Sequence, residues 1–293
     1  MRLILNPASG PGSGNGDDVI AALREVIPDL EVVELDGVTS VTDAAGRAPL
    51  PAALCVCGGD GTVGAVAAAA AALALPLLVV PGGTRNHFAH DLGINSVVDA
   101  AAAADAWAAV AVDVGNIDGH LFVNNASLGF YPDLVRVRER WENRLGKRLA
   151  TLVALVAVLV RSRPLCVEID GRERRIWCAF FGNGRYDEGG LFTPIGRSSL
   201  TDDVVDVRIV RAAGKWSRLR LLAAFFARRL ERASVYEISA RRHVEIRAAH
   251  PLRVAADGET IEAGAAFAVC VRAQALHVFV PPSLHKHGGT IER

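Results

Sequence analysis

The sequence lacks the patterns that would assign it to several common classes of protein. It does not contain G-x-x-x-x-G-K-[ST], so the usual P-loop fingerprint is absent. None of its five cysteines forms a C-x-x-C pair, and the histidine spacing completes no zinc site. Most cysteines lie in apolar, strand-like runs, which is typical of reduced core residues in a cytosolic protein.

Long hydrophobic runs are also missing. The longest, residues 149–160, would span about 18 Å as a helix, short of the roughly 30 Å bilayer core. We therefore expect a buried helix there. The chain begins with a strand pattern at residues 2–5 rather than with a signal peptide. Together these features predict a cytoplasmic protein.

Net charge is zero, but the charges are unevenly distributed. Residues 1–118 hold 14 acidic and 4 basic side chains, whereas residues 208–253 hold 3 acidic and 12 basic ones. A basic second half suits an anionic partner such as a membrane surface or nucleic acid, and the alternative is a solvated face without a partner. The length of 293 residues favours two domains.

The most informative segment is Ala-Leu-Cys-Val-Cys-Gly-Gly-Asp-Gly-Thr at residues 53–62. An apolar run, a glycine turn and an alanine-rich continuation predict a buried strand, a tight turn and a helix. Backbone N–H groups and the helix N-terminus would meet at this turn, which favours a phosphate. Asp60 would repel that phosphate unless a cation lies between them, so we expect a magnesium-nucleotide. The alternative is a glycine turn that binds nothing.

Strand and helix patterns alternate up to about residue 110 and predict a parallel sheet covered by helices. The loops after residues 5, 57 and 80 would then lie together at the carboxyl ends of the strands, where such sheets bind ligands. From residue 111 short strands predominate and predict a largely antiparallel β-domain with helices at residues 149–160 and 217–229. A last strand at residues 275–280 fits either domain.

Several motifs resemble the diacylglycerol kinase catalytic family, which includes bacterial lipid kinases and sphingosine kinases and is related more distantly to NAD kinases and phosphofructokinases. The resemblance spans nearly the whole chain. The motifs are Asn-Pro-Ala-Ser-Gly from Asn6, Gly-Gly-Asp-Gly-Thr from Gly58, Gly-Gly-Thr-Arg-Asn from Gly82, Gly-Asn-Gly-Arg-Tyr from Gly182, Leu-Thr-Asp-Asp-Val-Val-Asp from Leu200 and Asp-Gly-Glu from Asp257.

The resemblance implies an ATP-dependent kinase that phosphorylates a lipid hydroxyl, with diacylglycerol the leading substrate and Mg²⁺ the metal. It implies an α/β nucleotide-binding domain like that of NAD kinase and phosphofructokinase at residues 1–115. A β-rich lipid-substrate domain would follow at residues 116–274, and residues 275–293 would return to the first domain. The alternatives are a kinase of NAD or a sugar phosphate and a nucleotide-binding regulatory protein without turnover.

The resemblance also assigns site residues. The base that accepts the lipid hydroxyl proton would be Asp257 or Glu259, although Asp-Gly is also a common hairpin turn. Asp202 and Asp206 would hold an accessory metal, but Asp203 stands where the family has glycine and a solvated acidic turn is the alternative. The predicted nucleotide-binding residues are Asn6, Gly58, Gly59, Asp60, Gly61, Thr62, Thr84 and Asn86, with Asp60 also beside the nucleotide's Mg²⁺.

Two positions depart from the family pattern: His87 replaces a frequent aspartate and Gly64 a frequent polar residue. The segment 215–232 mixes apolar side chains with six basic ones, which favours a helix at an anionic membrane surface; a core-packed helix is the alternative. We therefore expect a membrane lipid and an anionic membrane surface as partners, with only transient association of the protein with the membrane. We expect no nucleic acid as a partner, and the sequence leaves open whether the protein forms a homodimer.

Overall fold

The N-terminal part of the molecule is a parallel sheet covered by helices. The computed structural model describes residues 1–8, 16–37, 39–187, 196–197, 199–212, 214, 216–227 and 233–282. The elements of this part are β1 (Arg2–Leu5), α1 (Gly16–Val26), β2 (Glu31–Glu34), α2 (Val41–Gly46), β3 (Leu54–Gly58), α3 (Asp60–Leu73), β4 (Leu77–Pro81), α4 (His87–Asp91) and α5 (Val97–Ala106). Strands β4, β3, β1 and β2 pair in that order, all in parallel. This confirms the predicted α/β domain.

The C-terminal part is β-rich and antiparallel, as predicted. Its strands pair in the order β14-β13-β7-β9-β8-β12-β15, and β15 continues the sheet to β4. Its elements are β5 (Ala109–Ile117), β6 (His120–Phe122), β7 (Asn125–Gly129), α6 (Tyr131–Arg161), β8 (Leu165–Ile169), β9 (Arg172–Asn183), β10 (Val205–Arg211), α7 (Ser217–Phe226), β11 (Tyr236–Arg241), β12 (His243–Ala248), β13 (Leu252–Ala256), β14 (Glu259–Ala263) and β15 (Ala266–Phe279).

Strand β15 connects the two parts. Its first half pairs antiparallel with β12, and Val278 near its end pairs in parallel with Leu77 of β4. Between these halves the register to β5 shifts, and Gln274 adopts a positive φ of 52°. The Gln274 N–H donates to the buried Asp113 at 2.8 Å, which stabilises this irregular turn of the strand. Residues 283–293 lie outside the described part of the chain.

The buried elements of the N-terminal part consist mostly of small or apolar residues. Strands β3 and β4 are buried throughout, as expected for parallel strands with helices on both faces. Helix α3 is rich in alanine, so it packs closely on the sheet and begins directly at the glycine turn after β3.

Two expectations about helices need correction. The apolar run 149–160 is only the second section of α6, which changes direction at Gly146 (φ 72°). That section was predicted to be buried, yet Leu149, Val156 and Val160 are exposed because only one face of the helix meets the core. Helix α7 ends at Phe226 rather than at 229, and residues 228–232 lie outside the described part. No helix within the described residues is long and apolar enough to cross a membrane.

Candidate active site

A cleft of about 570 Å³ lies between the two parts of the molecule. Asp60 and Gly61 at the start of α3 line one side, and Arg85 and His87 continue that wall. The opposite wall comes from β7, the first section of α6 and the β13–β14 hairpin with Asp257. The glycine loop and the late acidic turn, 200 residues apart in sequence, therefore share one cleft.

The two glycine loops of the N-terminal part touch through their backbones. A Cβ atom on Gly82 would lie 2.6 Å from the Gly58 nitrogen, and one on Gly83 would lie 2.7 Å from the Gly59 Cα. Real Cβ atoms do not approach other atoms this closely. Glycine is therefore required at these positions, because the ends of β3 and β4 meet without room for a side chain.

The helix that follows the first loop begins without a side-chain cap. Its N-cap is Gly59, so among the residues that the structure describes no cap side chain accepts from the N–H groups of the first turn of α3. Asn6, at the end of β1, donates from Nδ2 to Thr62 Oγ1 at 2.8 Å. Asp60 accepts the N–H of His87 at 2.9 Å and so ties α3 to α4. The structure thus brings Asn6, Asp60 and Thr62 together around an uncapped helix N-terminus.

The second loop is closed by Asn86, which adopts a positive φ of 52°. Its Oδ1 accepts the Gly83 N–H at 2.7 Å and its Nδ2 donates to the Gly83 carbonyl at 2.8 Å. Asn86 is almost fully buried and holds the loop in shape rather than presenting its amide to the cleft. Thr84 is exposed at the tip and is not among the residues that line the cleft. Desolvation lowers the pKa of the neighbouring His87, although this residue stays partly exposed, and the charge of Asp60 opposes the shift.

Asp257 lies at the tip of the β13–β14 hairpin. Asp257 and Gly258 both have positive φ, 46° and 91°, as a two-residue type I′ turn requires. The carboxylate accepts three backbone N–H groups, from Val123 at 2.6 Å, Asn124 at 2.9 Å and Asn125 at 3.1 Å. Burial raises the pKa of Asp257 to about 6, although these hydrogen bonds favour the charged form. The side chain is thus a positioned carboxylate that gains a proton close to neutral pH.

Asp257 also packs directly on α3. A Cβ on Gly64 would lie 2.8 Å from Asp257 Oδ2, and one on Gly61 would lie 3.7 Å from the Asp257 carbonyl oxygen. The glycine at position 64, a departure from the family pattern, therefore leaves the space that the carboxylate occupies. Helix α3 accepts this glycine in its interior because the hairpin tip sits against it.

The second base candidate, Glu259, lies elsewhere. It pairs with Ala256 across the hairpin, while Thr260 pairs with Ala255. Since side chains alternate along a strand, Glu259 is on the opposite face from Thr260, which lines the cleft. Glu259 is exposed and is not among the cleft-lining residues. The structure therefore separates the two acids that the sequence left as equal candidates.

The predicted accessory metal ligands lie next to one backbone segment. Asp202 accepts the Arg185 N–H at 3.0 Å, and Asp206 accepts the Tyr186 N–H at 3.2 Å. Asp206 is buried in an ion pair with Arg208 at 2.8 Å, so it is not a free ligand. No cluster of three or more His, Cys, Asp or Glu side chains suited to a metal occurs in the part of the chain that the structure describes.

Asp202 keeps one feature that fits a cation. Its Oδ1 is buried without a hydrogen-bond partner, and burial raises the pKa of this carboxyl. Asp203, where a glycine was expected, does adopt a positive φ of 54°, and its N–H donates to Asp113 at 2.8 Å. An accessory metal at Asp202 stays a prediction.

One part of the cleft was not predicted from the sequence. The first section of α6 carries Glu139 and Glu142, which pair with Arg85 across the cleft at 3.1 and 3.6 Å. Proline near the start of this helix and charges spaced three and four residues apart were the available signal. Outside the residues that line the cleft, the buried pair of Arg197 with Asp91 at 2.7 Å also has no local signal in the sequence.

The comparisons with known proteins agree with this geometry. The model of the diacylglycerol kinase catalytic domain matches residues 1–117. The model of the YegS C-terminal, NAD kinase beta sandwich-like domain matches residues 136–280. The chain belongs to the diacylglycerol kinase catalytic-domain family. Membership makes it a kinase-type phosphotransferase.

Individual relatives are distant but similar over most of their length. A protein of Mycobacterium tuberculosis (strain CDC 1551 / Oshkosh) named diacylglycerol kinase is 29% identical over 248 residues, 77% of this chain and 78% of the relative. Two crystal structures from Bacillus anthracis str. Sterne, one described as a candidate diacylglycerol kinase and the other as a diacylglycerol kinase, superpose with TM-scores of 0.73 and 0.66 at 22% and 20% identity. Each comparison covers 96% of this chain and 97% of the other. At these identities the structures show the shared fold.

Proposed function

We propose that this protein is an ATP-dependent lipid kinase that phosphorylates a lipid hydroxyl, with diacylglycerol the leading acceptor. One observation carries the proposal: the Asp257 carboxylate lies against the first turns of α3, beside the glycine loop that begins at Gly58. A group that holds phosphate and a group that accepts a hydroxyl proton must be neighbours if they are to act on one transfer.

The nucleotide side of the cleft fits a triphosphate. The uncapped start of α3 offers backbone N–H groups, and the contact of Gly82 and Gly83 with Gly58 and Gly59 keeps side chains away from that point. Thr62 and Asn6 add polar groups there. Asp60 would hold a Mg²⁺ there, and that ion would neutralise phosphate charge.

The acceptor side depends on Asp257. When the lipid hydroxyl oxygen forms its bond to phosphorus and the bond to ADP breaks, the hydroxyl proton must leave, and the Asp257 carboxylate accepts it. The three backbone N–H groups of residues 123–125 fix the position of this carboxylate. Its pKa of about 6 keeps it deprotonated at neutral pH and basic enough to take the proton.

Two observations support a lipid rather than NAD or a sugar phosphate as acceptor. The named relative of Mycobacterium tuberculosis is a diacylglycerol kinase. The C-terminal half is basic and exposes large apolar side chains on α6 and α7, which suits a substrate that stays in a bilayer.

The test is ADP release from ATP and Mg²⁺ with three acceptors: mixed vesicles containing diacylglycerol, NAD, and a sugar phosphate. We expect turnover only with the vesicles. Turnover with a soluble acceptor and not with vesicles would favour the soluble-substrate kinase. Nucleotide binding without ADP release under all three conditions would favour a regulatory protein.

A further inference from the structure

The outward sides of α7 and of the second section of α6 are apolar. Both helices pack on one core cluster through buried residues such as Leu155 and Leu221. Their outward residues include Val160, Trp216 and Phe226, whose exposed fractions are 70%, 66% and 66%. We call this set the α6–α7 surface; its members are Leu149, Val156, Val160, Trp216, Leu219 and Phe226.

Helical spacing accounts for this exposure. Trp216, Leu219 and Phe226 are three and seven residues apart, which places them along one side of α7, while Ser217 and Leu221 are buried on the other. On α6, Leu149, Val156 and Val160 follow one another at intervals of seven and four residues. An amphipathic helix of a monomer normally has one apolar face, which packs on the core. These two helices have a second apolar face that is exposed to solvent.

The two sequence segments that carry this surface contain charges of one sign only. Residues 143–167 and 209–230, which include the second section of α6 and all of α7, contain eleven Lys or Arg and no Asp or Glu. Arg161 and Arg220 are exposed beside the apolar side chains. Apolar anchors among cations are the features of a helix that lies at an anionic bilayer.

The same charges disfavour a second copy of this chain as the occupant. In a two-fold dimer the same patch meets itself, so the two sets of cations would face each other. Like charges brought together at an interface oppose association. An anionic lipid surface, in contrast, attracts the exposed arginines beside the α6–α7 surface.

We propose that the α6–α7 surface is where this protein docks on an anionic membrane. This inference deepens the proposed function. It rests on that function only for the reason why the protein would bind a membrane, namely to reach a lipid acceptor. Helix α6 links the two sites, because its first section lines the cleft with Tyr131 and Arg138 and its second section carries part of the docking surface. Docking through this helix holds the cleft at a fixed position relative to the bilayer that contains the acceptor.

The experiment measures binding to vesicles by sedimentation without nucleotide, so its outcome does not depend on kinase activity. The vesicles are pure phosphatidylcholine or phosphatidylcholine with about one third phosphatidylglycerol. The apolar variant is Trp216→Gln/Leu219→Gln/Phe226→Gln, and the charge variant is Arg161→Gln/Arg220→Gln. The matched control is Leu50→Gln/Val98→Gln, two exposed apolar residues of the N-terminal part.

We expect the wild type and the control to bind the anionic vesicles and to bind pure phosphatidylcholine much more weakly. The apolar variant should partition at least about 100-fold more weakly, because three large apolar side chains no longer enter the bilayer. The charge variant should lose about tenfold near 0.1 M salt and less at 0.5 M salt, since salt screens the arginines. Equal binding of the apolar variant and the control would overturn the proposal.

Tryptophan fluorescence adds a readout at the surface itself. Anionic vesicles should shift the emission of the wild type to shorter wavelength, and Trp216→Phe should abolish the shift, whereas Trp107→Phe should keep it. A shift that persists without Trp216 contradicts docking through α7. Sedimentation equilibrium without lipid supplies the last outcome: a dimer that dissociates in the apolar variant would assign the surface to a second copy and overturn membrane docking.

Discussion

On the nucleotide side of the cleft, Gly82 and Gly83 bring one loop within backbone contact of the loop at Gly58 and Gly59. On the proposed acceptor side, by contrast, side chains determine the shape: Asp257 is held by three N–H groups of residues 123–125, and the Val123 carbonyl of the same segment accepts from the buried Arg197. The first wall, with the glycine loops, depends on the absence of side chains, whereas the second wall, with Asp257, depends on side chains held by hydrogen bonds. Substitutions should therefore act differently on the two walls.

The largest expected effect is on turnover. Asp257→Asn removes the base, and general-base catalysis contributes about 10²–10⁴-fold, so kcat should fall within that range. Glu259→Gln is the control, because Glu259 lies on the other face of the hairpin, and its kcat should stay within about threefold of the wild type. The measurement is ADP release with diacylglycerol vesicles. A larger loss in Glu259→Gln would exchange the roles of the two acids.

The next largest effect is on stability. Arg197→Met leaves Asp91 buried without its partner, and breaking such a pair costs about 3–5 kcal/mol. Arg211→Met removes a half-exposed pair with Glu237 instead and should cost no more than about 1 kcal/mol. Urea unfolding of both variants checks the difference. Equal midpoints would show that the stability of the fold does not depend on this buried ion pair.

A smaller effect joins the two walls. Gly64→Ala places a methyl group 2.8 Å from Asp257 Oδ2, so the carboxylate must move. We expect kcat to fall by about tenfold or more, since small displacements of positioned groups cost that much. The free energy of unfolding should change little, because the preference of a helix for alanine over glycine, about 1 kcal/mol, offsets the cost of moving the carboxylate. Gly46→Ala, which meets nothing within 4 Å, is the control and should leave kcat unchanged.

The pH profile tests the charge state of the acceptor wall. Because burial raises the pKa of Asp257 to about 6, the carboxylate gains a proton as the pH falls through 6. Only the deprotonated form accepts the hydroxyl proton, so kcat/KM should be constant above pH 7 and drop about tenfold per unit below pH 6. The Glu259→Gln variant should give the same profile. A constant rate down to pH 4.5 would exclude Asp257 as the base.

The smallest effect concerns Arg85, the one long cation of the nucleotide loop Gly82–Asn86. Arg85 pairs with Glu139 and Glu142 across the cleft, and a triphosphate would compete with these carboxylates for it. Arg85→Ala should weaken ATP binding by about 5–10-fold, the usual value of one charge-assisted hydrogen bond. Glu139→Gln/Glu142→Gln should tighten it. The measurement is the dissociation constant for ATP from calorimetric titration, which should rise in Arg85→Ala and fall in the double variant. Weaker ATP binding by both variants would show that the ion pairs only maintain the structure of the cleft.

The difference between the walls also explains what the sequence predicted. Glycines that must lie at the ends of strands leave a local pattern, so the loops at Gly58 and Gly82 and the turn at Asp257 were predicted from the sequence, while the roles of Asp257 and Asn6 were implied by the family resemblance. The loops after β1 and β3 were expected to meet because both strands end at the same edge of a parallel sheet, and Asn6 and Thr62 share a hydrogen bond there.

The second wall left fewer local signals. Arg197 and Asp91 are 106 residues apart, and only the folded chain brings them together. The positions of Asp257 and Glu259 relative to the cleft depend on which face of the hairpin turns to it, and the pairing of Asp206 with Arg208 is also visible only in the folded chain. The exposed face of α6 was missed because an apolar run by itself does not show which side meets the core.

One measurement tests the central claim, that a single cleft binds the nucleotide and activates the acceptor. Wild type and Asp257→Asn are compared for ATP binding by calorimetry and for ADP release with diacylglycerol vesicles. We predict that the variant binds ATP within about threefold of the wild type and releases ADP at least about 100-fold more slowly. Unchanged ADP release by Asp257→Asn would contradict the account.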